Sequence, residues 1–210
     1  MTGAPDPEQR AHWDAVYRDK PADTVSWYRP RLDFSLQLLQ AHGLDRASRV
    51  IDVGAGASTL VDDLLAYDVS AITALDLAAN AFDAARQRLG DRAARVDWRV
   101  GDITTIALPA QAYTHWHDRA VLHFLLDPAA ASAYAAQAGR ALASGGIAVI
   151  GGFAPDGPER CSGLDVARRT PSDIAALLGA DFELLQTARE IHHTPAGREQ
   201  AFAWAVLRRR

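Results

Sequence analysis

The spacing of apolar residues changes along the chain, and each change marks an expected element. After Pro7, the residues Trp13, Val16 and Tyr17 recur on one helical face, with Asp6 placed to cap that helix. A polar stretch over residues 18–24 leads to Val25-Ser26-Trp27-Tyr28. Pro30 is expected to open a second helix, with Leu32, Leu36 and Leu39 inward and Gly43 at its end. Val50, Ile51 and Val53 suit a buried strand. Leu60, Val61, Leu64 and Leu65 then return to helical spacing, with Ser58 as the expected N-cap.

The same alternation continues. Residues 71–76, 96–100 and 113–118 read as strands, and residues 147–152 as a fifth, apolar throughout as the middle of a parallel sheet requires. Between them lies a helix with Phe82, Ala85 and Leu89 inward and Gly90 as terminator. An alanine-rich helix then begins at Asp127-Pro128, turns Tyr134, Ala138, Ala141 and Leu142 inward, and is expected to end at Gly145-Gly146. Residues 153–169 form a connection longer than most, which marks it as functional or mobile. Thr170-Pro171-Ser172-Asp173 has the spacing of a capping box before Ile174, Leu177 and Leu178, with Gly179 as the stop. Residues 182–187, extending toward Ile191, and residues 201–207 flank the turn Thr194-Pro195-Ala196-Gly197 and read as an antiparallel hairpin.

Three of these strands end in acids. Asp52 precedes Gly54-Ala55-Gly56, where glycines permit a tight turn and close approach of backbone to a ligand. A strand, glycine turn and helix in succession bring helix N–H groups to a nucleotide-like ligand. Thr59 stands where the third glycine of a dinucleotide fingerprint would be, so that fingerprint is incomplete. Asp76 follows the glycines by roughly 20 residues, the spacing that places an acid on ribose hydroxyls.

Asp52-Val53-Gly54-Ala55-Gly56, Leu75-Asp76 and Gly101-Asp102-Ile103 resemble, in order and spacing, the first three motifs of class I S-adenosylmethionine-dependent methyltransferases. The resemblance runs from about Arg49 onward. With the pattern above it implies an α/β fold: a Rossmann-like, doubly wound, seven-stranded sheet, mostly parallel, with a C-terminal antiparallel hairpin and an N-terminal helical lid. Residues 1–45 would form the lid segment and residues 46–210 the core, within one structural domain. The implied cofactor is S-adenosyl-L-methionine and the product S-adenosyl-L-homocysteine. Carried over residue by residue, Asp76 beside Leu77 takes the ribose, Asp102 the adenine amino group, and Ile103 gives backbone and apolar contact. Asp52 meets the methionine end, with Gly54, Ala55, Gly56 and Ser58 beneath it.

His12-Trp13-Asp14 and Val25-Ser26-Trp27-Tyr28 resemble the lid of small-molecule thiol and halide methyltransferases, and also the start of some elongation-factor lysine methyltransferases. Trp13 and Trp27 would then cover the cofactor, excluding water and offering aromatic faces to positive charge. Packing of these aromatics onto the sheet is the structural alternative. Asp118-Arg119-Ala120-Val121 resembles the fourth motif of thiopurine-type methyltransferases, although Thr114 stands where that family carries an acid. His117 and Asp118 should border the site, because ligands bind outside the carboxyl ends of strands in open α/β sheets.

His117 and His123 are the candidate general bases, and Arg119 is the candidate partner of an anionic substrate. A helix-face histidine at 123 and a structural ion pair at 119 are the alternatives. Cys161, the single cysteine, lies in the long connection, either reaching over the site or idle. No metal is expected: His192 and His193 are neighbours on a strand and point to opposite faces. An apolar fraction of 49% and a charged fraction of 23% are ordinary for a soluble globular protein, and the net charge is −4. That charge gives no general pull toward nucleic acid or membranes. Residues 1–10 show no apolar core of a signal peptide and no run of about 18 apolar residues occurs, so a cytoplasmic protein is expected. The expected function is methyl transfer to a small-molecule acceptor, a soft or anionic nucleophile of thiol type, by a monomer or homodimer. The alternatives are a protein lysine N-methyltransferase, base-assisted O- or N-methylation of a small metabolite, a cofactor-binding regulator without turnover, and a nicotinamide oxidoreductase.

Overall fold

The computed structural model describes residues 7–210, so the cap expected at Asp6 lies outside the described residues. The chain opens with helices α1 (Pro7–Asp19) and α2 (Asp33–Ala41). It then alternates β1 (Arg49–Val53), α3 (Leu60–Ala66), β2 (Ala71–Asp76), α4 (Asp83–Leu89), β3 (Val96–Val100), β4 (Tyr113–Arg119), α5 (Pro128–Ala141) and β5 (Leu142–Phe153). A short hairpin of β6 (Arg160–Cys161) and β7 (Leu164–Asp165) precedes α6 (Pro171–Leu178), β8 (Phe182–His193) and β9 (Glu199–Arg209). Seven strands form one sheet in the order β3-β2-β1-β4-β5-β9-β8. β1 to β5 run parallel, and β9 enters antiparallel between β5 and β8. This is the expected doubly wound α/β sheet with a C-terminal hairpin.

Strand alternation divides the core between the two faces. Val50, Val149 and Trp204 face Leu36, Leu39, Leu60, Leu64 and Phe82. Ile51, Trp116 and Ile150 face Tyr134, Ala138, Ile174 and Leu178 of α5 and α6. Each fully buried aliphatic side chain of this kind contributes about 1.5–3 kcal/mol. α6 has the expected capping box: Thr170 accepts from the Asp173 N–H while Asp173 accepts from the Thr170 N–H.

Several boundaries differ from expectation. α2 starts at Asp33 rather than Pro30: Leu32 has non-helical φ and ψ of −91° and 57°, and Arg31 before it pairs with Asp33 and with Asp63 on α3 at 3.2 and 3.0 Å. The helical hydrogen bonds of α3 begin after Thr59, but Thr59 already has helical φ and ψ, and the Ser58 hydroxyl accepts from the Leu60 N–H at 3.1 Å, the capping bond expected of it. Gly145-Gly146 do not stop α5, which ends at Ala141. They lie within β5, where Gly145 has φ 77° and the register against β4 shifts between Tyr113 and His115. The glycines thus make an irregularity in a strand. No helix among the described residues is long and apolar enough to cross a membrane.

Candidate functional site

The carboxyl ends of β1, β2 and β4 open into a cavity of about 800 Å³, part of it solvent. One end is acidic. Asp76, the last residue of β2, is 6% exposed. Its Oδ2 accepts from the Gly56 N–H at 3.0 Å, and its Oδ1 from the Ala78 N–H at 3.0 Å. Burial pushes this carboxyl up to about 6, against the opposing effect of those N–H donors. Leu77, Asp102 and Ile103 line the same end. Asp102 Oδ1 accepts from both the N–H and the hydroxyl of Thr104, which fixes the turn after β3.

Gly54 and Gly56 take φ values of 67° and 48°, a region L side chains rarely adopt. A Cβ on Gly54 would lie 2.0 Å from Val121, and one on Gly56 would lie 2.5 Å from the Tyr17 hydroxyl. The glycines therefore let the segment after β4 and helix α1 close on the turn. Tyr17 donates to Asp76 Oδ2 across 3.5 Å. The sequence reading missed this residue as a site group; its proximity to an aromatic-rich segment was the only available signal.

The other end is aromatic. Trp13 meets Trp27 and Phe124 edge-on, with centroids 5.7 and 5.1 Å away, and all three line the cavity. Arg119 lies between this cavity and a second one of about 500 Å³. Its Nη1 donates to the Trp27 carbonyl at 3.0 Å, and its guanidinium stacks 4.7 Å from the Phe202 centroid. Nε and Nη2 are sealed from solvent with no partner. Burial lowers the guanidinium from its ordinary value. Cys161 also lines the first cavity; burial pushes its thiol up to about 12, which keeps it protonated.

The second cavity is lined by Asp52, Gly54, Ala55, Ser58, His117 and Arg119, among others. Asp52 Oδ1 lies 2.7 Å from His117 Nδ1, and His117 Nε2 lies 2.9 Å from the Ser35 hydroxyl. Both ring nitrogens of His117 are thus committed, which removes it as a free base. Asp52 Oδ2 is buried without a partner.

Two expected site residues point elsewhere. Asp118, fully buried, accepts from the N–H groups of Val121 and Leu122 at 2.8 and 3.0 Å and from the Tyr134 hydroxyl at 2.6 Å. It lines neither cavity, because neighbours on a strand face opposite ways and His117 already faces the second one. His123 is 2% exposed and packs edge-on to Phe124 and Phe153. Its ring nitrogens have no partners, and burial, then Arg119 and Arg169, push it down to about 3. It lines a separate small cavity with Arg169, so a proton-accepting role in the main cavity has no geometric basis. Ser58 borders only the second cavity. His192 is buried and meets the Ser26 carbonyl, while His193 is exposed near Glu199. Among the described residues no cluster of His, Cys, Asp or Glu is arranged for a metal ion.

Residues 50–146 match the family model described as "Methyltransferase domain". No curated protein matches the sequence. Among solved structures, the chain is similar to the 1,6-didemethyltoxoflavin-N1-methyltransferase of Burkholderia thailandensis, whose structure contains 1,6-didemethyltoxoflavin and S-adenosylhomocysteine. The TM-score is 0.72 at 21% identity, over 100% of this chain and 92% of that one. A methyltransferase of Anabaena variabilis, described as dependent on S-adenosylmethionine, gives 0.73 at 16% identity, over 99% and 98%. The (4+2)-cyclase SpnF gives 0.73 at 16% identity, over 98% and 97%. At these identities the structural likeness shows the fold, and the family match spans a little under half of the chain. The chain thus has the fold of solved S-adenosylmethionine-dependent methyltransferases, and its residues 50–146 are similar to a methyltransferase domain.

Proposed function

We propose that this protein transfers a methyl group from S-adenosyl-L-methionine to a small, enclosed acceptor, a soft or anionic nucleophile of thiol type. The observation that carries the acceptor class is Arg119: a sealed guanidinium with two unpartnered nitrogens on the wall shared by both cavities. Buried donors of this kind are costly until an acceptor meets them. The residues present fit the cofactor, since a buried acid ends β2 and Asp52, which lines the second cavity, has a buried oxygen without a partner. Asp76 with Leu77 would hold the ribose, Asp102 and Ile103 the adenine, and Asp52, Gly54, Ala55, Gly56 and Ser58 the methionine end.

The cofactor supplies an electrophilic methyl on a sulfonium. The chain's part is to orient the acceptor and exclude water. Trp13 and Trp27 would roof the cavity as part of an N-terminal lid. Arg119 would hold the acceptor's negative charge. No base is required for a thiolate-like acceptor, which agrees with the engaged ring of His117 and the remote ring of His123.

A screen of thiols, halides, phenols, amines and lysine-containing peptides, read by release of S-adenosylhomocysteine, tests this reading. Turnover on thiols or other anions is expected, with Arg119→Lys active on a monatomic anion and inactive on a carboxylate-bearing acceptor. Turnover confined to lysine peptides would overturn it. A second reading, methylation of a ring nitrogen, is favoured by the aromatic end of the cavity and by the N-methyltransferase named above; it predicts activity on heteroaromatic amines in the same screen.

A further inference from the structure

We infer that His117 and Ser35 are positioning residues that prepare Asp52 to hold the ammonium of the methyl donor's amino-acid end. The inference rests on the reading above that the donor is S-adenosyl-L-methionine.

The three residues are each 1–2% exposed and come from three elements: Ser35 from α2, His117 from β4 and Asp52 from β1. β1 and β4 are paired so that Asp52 and His117 are direct neighbours across the ladder. A carboxylate only accepts, so the 2.7 Å contact requires a hydrogen on His117 Nδ1. The other ring nitrogen meets the Ser35 hydroxyl at 2.9 Å, and the ring stacks on Trp204 at a 29° tilt with centroids 6.2 Å apart. The imidazole therefore has little freedom to turn, and it fixes Asp52 through Oδ1. Oδ2 is left as a buried acceptor without a partner on a residue that borders the second cavity. Buried carboxylate oxygens are rarely left so, and a charged N–H donor is the partner that best offsets the desolvation.

This arrangement gives the N-terminal segment a second use. α2 does not border either cavity through Ser35, yet its hydroxyl steadies the ring that steadies the acid. Loss of the relay should let the Asp52 carboxylate rotate or draw in water. The effect should fall on ligands that bear the ammonium and spare those that lack it, which a general loss of packing would not do.

The test is calorimetric binding of S-adenosylhomocysteine and of its deaminated analogue, in which hydrogen replaces the α-ammonium. His117→Phe keeps a ring against Trp204 and removes both nitrogens; Ser35→Ala removes only the hydroxyl. For the wild type, the deaminated analogue should bind at least tenfold more weakly. His117→Phe should weaken S-adenosylhomocysteine about 10- to 100-fold, the range for a hydrogen bond to a charged group, and change the analogue less than threefold. Ser35→Ala should weaken S-adenosylhomocysteine about threefold to tenfold with the same selectivity. If His117→Phe fails to fold by circular dichroism, Ser35→Ala decides. Equal losses for both ligands, or no loss for either, overturn the inference while the donor assignment stands. If the wild type binds neither ligand, the donor assignment falls and this inference with it.

Discussion

Asp76 ends β2 and Asp118 stands one residue before the end of β4, both buried and both pushed up to about 6 by that burial. They differ in who answers them. Asp76 is met by backbone N–H groups of two turns and by Tyr17, and it borders the main cavity. Asp118 is met by the turn at 121–122 and by Tyr134 of α5, and every contact is internal to the fold. A perturbed acid at a strand end is therefore not by itself a ligand group. What separates the two is whether an oxygen still borders space that a ligand can enter.

The largest expected effect falls on the structural acid. Asp118→Ala strands three donors, each costing about 1–3 kcal/mol when buried and unsatisfied, so stability in urea should drop by about 3 kcal/mol or more. A drop below about 1 kcal/mol would erase the distinction from Asp76. Next comes Asp76→Ala, whose loss should appear in ligand affinity: about 1.5–3 kcal/mol weaker S-adenosylhomocysteine binding by calorimetry, in a folded protein. Unchanged affinity would remove Asp76 from the site.

The third effect is a pH dependence with a definite sign. On the proposed reading, ribose hydroxyls would donate to the charged form of Asp76, whose carboxyl is pushed up to about 6 by burial in the free protein. Protons and ligand thus compete: affinity is full above about 6 and declines as pH falls, by about tenfold at pH 5. Asp76→Asn should flatten this profile, and Asp118→Asn should leave it in place. The smallest effect is at Tyr17. Its bond to Asp76 is 3.5 Å long, at the outer limit of such contacts, so Tyr17→Phe should change affinity by less than about threefold. A larger loss would show the hydroxyl reaching ligand directly.

Much of the fold was legible because its signals are local. The runs at Val50–Val53 and Ala71–Asp76 and the helix starts at Asp127-Pro128 and Thr170-Pro171 lie where periodicity and capping put them. The Gly145-Gly146 pair was misread because glycine marks both helix ends and strand irregularities, and only pairing with β4 decides between them. At the site, Asp76, Asp102 and Gly54 line the main cavity, as their strand-end positions suggested. Expecting both His117 and Asp118 at the site ignored the two-residue period of a strand, which was available in the sequence. Ser35 was out of reach, because nothing near it in sequence announces a partner on β4, and the aromatic neighbours of Tyr17 pointed toward the site without indicating Asp76 on β2.

The insertion of β9 between β5 and β8 also bears on the order of assembly. β8 joins the sheet only through β9, so the sheet stays open beyond β5 until that distant segment returns. Such long-range closure is slow compared with helix formation and local βα pairing. Trp204, which stacks on His117, arrives with β9. On refolding, far-ultraviolet ellipticity should therefore recover first, and competence to bind ligand should appear later, together with the burial of Trp204.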